Sequence, residues 1–287
     1  MASRIPPLLD TYLRFPPEAS LVLLSGVLGS TTNWLVLRYL YSLFTTPSEL
    51  VAGQDDVGAH KIDGPNVVLV SFLRDYTFWK EGSGKLGVDL DLQARKGKFV
   101  FVDGLVSLFT QQIHATKYSP ETPPGKKILS STAPTPQYLY KELEDAVAQV
   151  QRSCPERKTV LIVDQLDTFL ATSEGQVSGQ ELREILLDIR EKIHSCIVTV
   201  SADEPLISSQ ATSLEKEHAA LAISLAHDAN LVVSLRLLET GTARDVSGVL
   251  RVTLGGGSGD ISDTLEEQEL LYLVAGDGGV RVFERGQ

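Results

Sequence analysis

The chain lacks the features that mark secreted and membrane proteins. Its 287 residues include only two cysteines, Cys154 and Cys196, which cannot form a disulfide framework and favour a reduced intracellular protein. The N-terminus has prolines and acids where a signal peptide needs an apolar run. The stretch Leu21–Phe44 is too polar in its middle to span a bilayer. We therefore expect a soluble protein of the cytoplasm or nucleus with no membrane contact.

Positive charge is also scarce. Lys and Arg number 26 against 37 Asp and Glu, which gives a net charge of −11. Non-specific nucleic-acid binding relies on clustered Lys and Arg, so the chain alone is a poor binder unless a local patch or a basic partner supplies the charge. At 43% hydrophobic and 22% charged residues, the composition is that of a globular protein with a substantial core.

Short apolar runs alternate with helical patterns along most of the chain. The runs are almost continuously apolar, which is typical of parallel strands covered on both faces. We predict strands at Leu21–Ser25, Val67–Ser71, Lys98–Val102, Thr159–Val163, Ile197–Ser201 and Leu231–Leu237. Helices are predicted at Pro136–Arg152, at Gly179–His194, and after Thr212, where Leu214, Leu221 and Leu225 are expected to be buried. Ser178 with Glu181, and Thr212 with Glu215, form capping-box patterns. The alternation predicts an α/β fold with a doubly wound, mostly parallel sheet.

The C-terminal part changes character. Two hairpins are predicted, one joining Leu231–Leu238 to Val249–Leu254 and the other joining Leu270–Val274 to Val280–Phe283. They would extend the sheet with antiparallel strands at one edge. Long loops are predicted at 45–66, 116–135 and 255–268. The prediction is one domain over residues 1–287, with its core from about 20 to 284.

The stretch that begins at Leu21 has the layout of a phosphate-binding loop without its chemistry. In the pattern G-x-x-x-x-G-K-[ST], the glycines let backbone N–H groups surround the phosphates, the lysine neutralises them and the hydroxyl holds magnesium. Counted from Gly26, the second glycine is Thr31, the lysine is Thr32 and the hydroxyl residue is Asn33. Three interpretations stay open: a strand-to-helix turn capped by Thr32 or Asn33, a degenerate nucleotide site, or a site for another anion.

A second motif resembles the Walker B strand of ATPases. In "TVLIVDQLDTFL" four apolar residues precede Asp164, which would order magnesium in an ATPase. A structural role is equally open, with Asp164 bonded to backbone at the strand end or Asp167 capping the next helix. The general base of such enzymes follows the second strand, where this chain has Ser71, Phe72 and Leu73. Because phosphoryl transfer needs these parts together, we expect no catalytic residue, no bound cofactor and no metal.

The remaining motifs are weaker. His194 and Cys196 lack the further ligands of a zinc site. His218 and His227 are expected at a helix surface. The Gly-rich stretch 254–260 is interpreted as a flexible loop rather than a dinucleotide fingerprint. The basic run 94–98, "ARKGK", is interpreted as a solvated turn.

Taken together, the altered phosphate loop and the strand that ends at Asp164 resemble a RecA-like ATPase core. One branch is similar in more detail: "KLGVDLDLQARKGKFVFVDGL", Lys85–Leu105, resembles a stretch typical of subunit six of the Elongator complex. "ETGTARDVSGVLRV" resembles that family's hairpin, with matching residues at Thr240, Gly241, Arg244, Asp245, Val246, Gly248, Leu250 and Arg251. The missing loop lysine also fits, and the resemblance covers roughly Leu21 to Phe283.

The resemblance implies a non-catalytic subunit in a hexameric ring with two copies each of subunits four, five and six. Such a ring docks on the catalytic Elongator subunits, which modify wobble uridine in tRNA, and it binds tRNA. The loops expected to face the central hole, Ala171–Gln180 and Ala202–Thr212, lack Arg and Lys. The alternative hypothesis is a nucleotide-binding pseudo-ATPase of another RecA-like complex, such as a recombination paralogue.

Overall fold

The computed structural model describes residues 4–45, 64–105, 123–128, 135–239, 243, 245–258 and 265–284. Within them, the strands are β1 Ser20–Gly26, β2 Asn66–Ser71, β3 Phe99–Asp103, β4 Lys126–Ile128, β5 Thr159–Asp164, β6 Ser195–Ser201, β7 Leu231–Arg236, β8 Gly248–Leu254, β9 Gln268–Val274 and β10 Val280–Phe283. The α-helices are α1 Asn33–Thr45, α2 Tyr76–Leu86, α3 Leu90–Arg95, α4 Pro136–Ser153, α5 Leu166–Thr172, α6 Gly179–Arg190 and α7 Ser213–Asp228, and there is a short 3₁₀ helix at Pro7–Leu9 and a short π-helix at Pro205–Ser209.

The described strands form one sheet in the order β10-β9-β8-β7-β1-β6-β5-β2-β3-β4. Strands β1 to β7 pair in parallel, whereas β7, β8, β9 and β10 pair as an antiparallel extension at one edge. This confirms the predicted fold class, the six predicted core strands and both hairpins. The strands that carry the altered phosphate loop and Asp164, β1 and β5, are separated by β6 alone.

Two apolar layers cover the two faces of the sheet because side chains alternate along each strand. On one face, α1, α2 and α3 pack with Val22, Leu24, Val67 and Leu69. On the other, the four helices α4 to α7 pack with Leu21, Leu23, Val68 and Val70. The predicted capping boxes of α6 and α7 are both present, so the starts of these helices were predictable from the sequence.

Several local predictions were wrong. Strand β4 lies inside the predicted loop 116–135, and helices α2 and α3 lie where no helix was predicted. Helix α6 ends at Arg190 rather than His194, and Leu214 is 43% exposed rather than buried. His218 is buried, and its Nε2 lies 2.9 Å from the Ser201 carbonyl oxygen.

The Gly-rich stretch that follows β8 packs closely and is not a freely solvated loop. A Cβ on Gly255 would lie 2.1 Å from the Ala229 carbonyl oxygen, and the Gly257 N–H donates to the same oxygen. These glycines therefore let the chain pass over the end of α7. Of the other predicted loops, most of 45–66 and 116–135 lies outside the described residues.

Candidate functional site

The altered phosphate loop and Asp164 lie at the carboxyl edge of the sheet, where ligands bind in doubly wound folds. The chain leaves β1 through α1 on one face, and it leaves β6 towards α7 on the other. Connections that diverge in this way open a crevice between neighbouring strand ends. The position is therefore the one that a nucleotide would occupy, and the question is whether its residues could hold one.

The loop after Gly26 is folded onto itself. The Ser30 carbonyl oxygen lies 2.4 Å from the position that a Cβ on residue 26 would take. The Ser30 N–H in turn donates to the Val27 carbonyl oxygen at 2.8 Å, and Gly29 has a φ of +90°, which favours glycine. Gly26 is therefore required by a tight turn within the chain.

Replacing Gly26 with alanine is expected to destabilise the protein by about 1–3 kcal/mol, because the added methyl group would overlap a backbone oxygen. Gly84 in α2 offers a matched control, since a Cβ there would meet nothing within 4 Å. Gly84→Ala should be neutral or stabilising by up to about 1 kcal/mol, because alanine favours helices. Urea unfolding of the two variants measures the difference, and equal stabilities would show that the turn is looser than described.

Backbone N–H groups of the loop are already bonded within the protein. Leu28 N–H donates to the Asp203 carboxylate at 2.7 Å, and Val27 N–H donates to the Leu235 carbonyl oxygen at 3.3 Å. Asn33 N–H donates to the Thr31 hydroxyl at 3.2 Å. A carboxylate of the chain itself thus lies at a loop donor that could otherwise face a phosphate, and its negative charge would repel one.

The residues at the lysine and hydroxyl positions are turned inward. Thr32 is only 2% exposed, its hydroxyl has no hydrogen-bond partner among the described residues, and Asn33 is also buried. Helix α1 begins at Asn33, and the side chain that bonds to this end is Thr31. Thr32 nevertheless occupies the N-cap position, as one of the two predicted candidates, because its carbonyl oxygen accepts from the Leu35 and Val36 N–H groups, while its side chain makes no cap bond among the described residues. The strand-to-helix turn itself was predicted correctly.

Asp164 is bonded to two hydroxyl groups. Its Oδ2 accepts from Ser71 Oγ at 2.7 Å, and its Oδ1 accepts from Thr199 Oγ1 at 3.1 Å. Both hydroxyls are themselves acceptors, from Arg74 N–H at 3.0 Å and from Gln165 N–H at 2.8 Å. Complete burial raises the pKa of Asp164 to about 6, although the two hydroxyls favour the charged form. The expectation that Asp164 bonds to backbone was wrong.

Ser71 is the residue at the position where an ATPase of this layout has its general base. The strands β2 and β5 pair so that Ser71 lies beside Asp164. A hydroxyl cannot take a proton from water as a carboxylate can. This position therefore holds Asp164 in place.

Asp167 does not cap the helix after β5. It is the second residue of α5, whose N-cap is Gln165 in a left-handed conformation without a side-chain cap bond. Asp167 is buried, and burial raises its pKa. The N-cap position belongs to Gln165, so the hypothesis that Asp167 occupies it was wrong, and the Asp167 carboxyl group interacts with Ser201 instead.

Magnesium and a nucleotide do not fit these residues. Asp164 is held by two hydroxyls, Thr32 is buried, and Asp203 is bonded to the loop. In the part of the chain that the structure describes, no three His, Cys, Asp or Glu side chains are grouped as metal ligands. Cys154 and Cys196 are free thiols, and no described helix has the length and apolarity to cross a membrane.

Two site residues were missed by the sequence analysis. Thr199 lies in β6, and Asp203 follows it, 175 residues from its partner Leu28. The only sequence signal for Thr199 is a hydroxyl near the end of an apolar run. Which neighbour that hydroxyl meets depends on strand order, and strand order was not predicted.

The fold and the site define a RecA-type α/β protein whose phosphate loop is bonded internally. Solved structures share this fold: a KaiC-like protein of the archaeon Pyrococcus horikoshii is 15% identical, with a TM-score of 0.56 and coverage of 99% of this chain and 98% of its own. A further Pyrococcus horikoshii protein, uncharacterised and solved with an unknown peptide, is 13% identical, with a TM-score of 0.60 and full coverage of both chains.

A family model described as Elongation complex protein 6 matches residues 60–274, and the chain belongs to this family. Elongator complex protein 6 of Xenopus laevis is 26% identical over 92% of this chain and 96% of its own. The Schizosaccharomyces pombe homolog is 27% identical over 97% of each chain. The human protein is 28% identical over 65% of this chain and 67% of its own. The relatives are named as proteins of a complex.

Proposed function

We propose that this chain is a non-catalytic subunit of Elongator that forms a hetero-hexameric ring with subunits four and five. The observation that carries the proposal is a RecA-type sheet kept intact while the positions that grip a triphosphate are buried or bonded internally. The sheet and its helices are retained although the residues needed for phosphoryl transfer are not. The retained structure would then serve to bind other subunits through its surface. Membership of the subunit-six family supports the same function.

Exposed apolar side chains support an interface at the carboxyl edge of the sheet. Leu28 after β1 is 85% exposed, Leu237 after β7 is 45% exposed, and Leu73 follows β2 with its side chain also exposed. Leu237 packs against Gly29, so the first two leucines are neighbours. Exposed apolar groups gathered at one edge mark interaction sites more often than scattered ones do.

The ring would dock on the catalytic Elongator subunits and bind tRNA to support wobble-uridine modification. The chain has a net charge of −11, and the loops 171–180 and 202–212 contain no Arg or Lys. Binding of tRNA is therefore a property of the assembled ring, to which the partner subunits contribute positive charge. The setting is the cytoplasm or the nucleus. A nucleotide-binding pseudo-ATPase, the alternative function, has no support from the site geometry.

Co-purification of tagged chain with subunits four and five tests the proposal. We expect a complex with two copies of each subunit, measured by native mass spectrometry. Leu28→Glu combined with Leu237→Glu should abolish the complex, because two charges would be buried in an apolar interface. Ile223→Glu is the matched control, since Ile223 is 54% exposed on α7 and lies away from this edge.

The control should retain the complex, and circular dichroism should show both variants folded. Two results would overturn the proposal: purification of the wild-type chain as a stable monomer with no association to subunits four and five, or a full-sized complex formed by the double-glutamate variant. The first would reject the assembly function. The second would reject the carboxyl edge as its surface.

A further inference from the structure

The amino edge of the sheet, opposite the altered phosphate loop, has a cleft of about 460 Å³. It is lined by Arg95 at the end of α3, by Lys96 and Gly97 in the turn that follows, and by Gln149 and Ser153 from the end of α4. The two elements are in close contact here, because a Cβ on Gly97 would lie 2.4 Å from Ser153 Oγ. This is the basic run that the sequence analysis interpreted as a solvated turn.

Positive charge continues from the cleft along the same edge. Lys98 and Lys158 directly precede β3 and β5, and their carbonyl oxygens accept the backbone N–H groups of Val67 and Asn66 at the start of β2. The two lysines therefore stand on either side of β2. Over residues 94–98 and 149–158 the cations outside the core are Arg95, Lys96, Arg152, Arg157 and Lys158, against the single acid Glu156, whereas Lys98 is buried. We call this set the amino-edge strip.

Stabilisation of helix ends accounts for only part of the strip. Arg95 and Arg152 lie in the last turns of α3 and α4, where cations favour the negative end of the helix dipole. Lys96 is the C-cap residue of α3 and is favoured there in the same way, whereas Arg157 and Lys158 lie outside helices and are not explained by a helix end. Arg95 and Lys96 are both exposed, and Arg95 also attracts the Asp91 carboxylate one turn earlier in α3, so the Lys96 head group is the more accessible of the two to a ligand.

We infer that the amino-edge strip binds the phosphate backbone of RNA, with the cleft at Arg95 and Lys96 as its central contact. Phosphate oxygens are bound in proteins by Arg and Lys together with Gln and Ser side chains, and the cleft combines these four types. Because Arg157 and Lys158 extend the positive charge beyond the cleft to the start of β5, a polyanion fits the strip better than one small phosphate does. This inference rests on the proposed tRNA-binding function and assigns part of it to this chain.

The test measures tRNA binding to the complex of this chain with subunits four and five, by fluorescence anisotropy between 50 and 200 mM salt. Arg95→Glu with Lys96→Glu reverses two charges in the strip. Arg251→Glu with Arg281→Glu is the matched control, because both arginines are exposed on β8 and β10 at the other end of the sheet. For R95E/K96E we expect roughly tenfold weaker tRNA binding. We also expect the slope of log affinity against log salt concentration to fall by about two, which corresponds to the loss of about two phosphate contacts. The control should change affinity by less than about threefold.

Equal losses of tRNA affinity in the two double variants would show that the loss follows from net charge alone, and this result would overturn the inference. So would unchanged tRNA affinity in R95E/K96E, and in that case an intact complex that still binds tRNA leaves the proposed function standing. Failure of R95E/K96E to enter the complex would assign the strip to an acidic partner surface instead. Binding of inorganic phosphate tighter than that of tRNA, lost in R95E/K96E, would assign the cleft to a small ligand. Failure of the wild-type chain to associate at all is a separate result and rejects the proposed function.

Discussion

Replacing Asp164 with asparagine is expected to stabilise the protein at neutral pH by about 2–3 kcal/mol. The carboxyl group is fully buried, and burial raises its pKa from its ordinary 3.8 to about 6. The folded protein therefore holds this proton more tightly than the unfolded chain does. Stability is lost as the pH rises from about 4 to 6, when the buried group must ionise, and it stays at the lower level above pH 6. Asparagine removes this loss and can still bond to the Ser71 and Thr199 hydroxyls, which can donate or accept.

Urea unfolding of both proteins at pH 4, 5, 6 and 7.5 measures the effect. The advantage of Asp164→Asn should be small at pH 4 and should grow to its full value near neutral pH. Asp188→Asn is a suitable control, because Asp188 is exposed on α6 and the same substitution there lies in solvent. If Asp164→Asn were instead destabilising at pH 7.5, the attraction between the Asp164 carboxylate and Arg74 would outweigh the cost of its burial, and the prediction would be wrong.

Introducing a lysine at the loop position where a phosphate-binding loop has one is expected to destabilise this protein. Thr32 is 2% exposed, so Thr32→Lys would place an ammonium group at a buried position. An uncompensated buried charge costs about 3–5 kcal/mol. The variant should therefore melt well below the wild type, and it should gain no affinity for ATP, because Asp203 still occupies the loop.

Two controls separate charge burial from other effects. Thr32→Val removes only a hydroxyl that has no hydrogen-bond partner within the described part of the chain, so it should be within about 1 kcal/mol of wild type or more stable. Thr31→Lys adds the same lysine at the exposed neighbour and should lose only about 1 kcal/mol, from the hydrogen bond that Thr31 accepts from Asn33 N–H. A stable Thr32→Lys protein that binds ATP would contradict the described loop.

The strands and the starts of the helices were predictable because the sequence patterns that indicate them lie within a few neighbouring residues. Strands such as β2 and β5 are buried along their whole length, and a continuous apolar run reports that burial directly. The starts of α6 and α7 followed from capping boxes within four residues. Strand β4 was missed because its three residues include two lysines and it lies at the end of the described sheet. An edge strand of this length has no apolar pattern to detect.

The site was only half predictable. The absence of a loop lysine could be read at Thr32, but the inward direction of that side chain could not. The bond between Leu28 and Asp203 joins the segments that follow two different strands, β1 and β6, and the Ser71–Asp164 pair depends on strand register. His218 was expected at the surface, yet it turns towards the Ser201 carbonyl oxygen. These details depend on tertiary packing, which a periodic pattern of apolar residues does not encode.

Isothermal titration of the isolated chain with ATP and magnesium tests most directly whether the phosphate loop has lost its ligand. The buried Thr32, the carboxylate of Asp203 on the loop and the two hydroxyls on Asp164 predict no measurable heat of binding at millimolar ATP. Magnesium-dependent binding of ATP in the micromolar range that disappears in Asp164→Asn would contradict the account. Such a result would show that Asp164 and the loop form a functional nucleotide site.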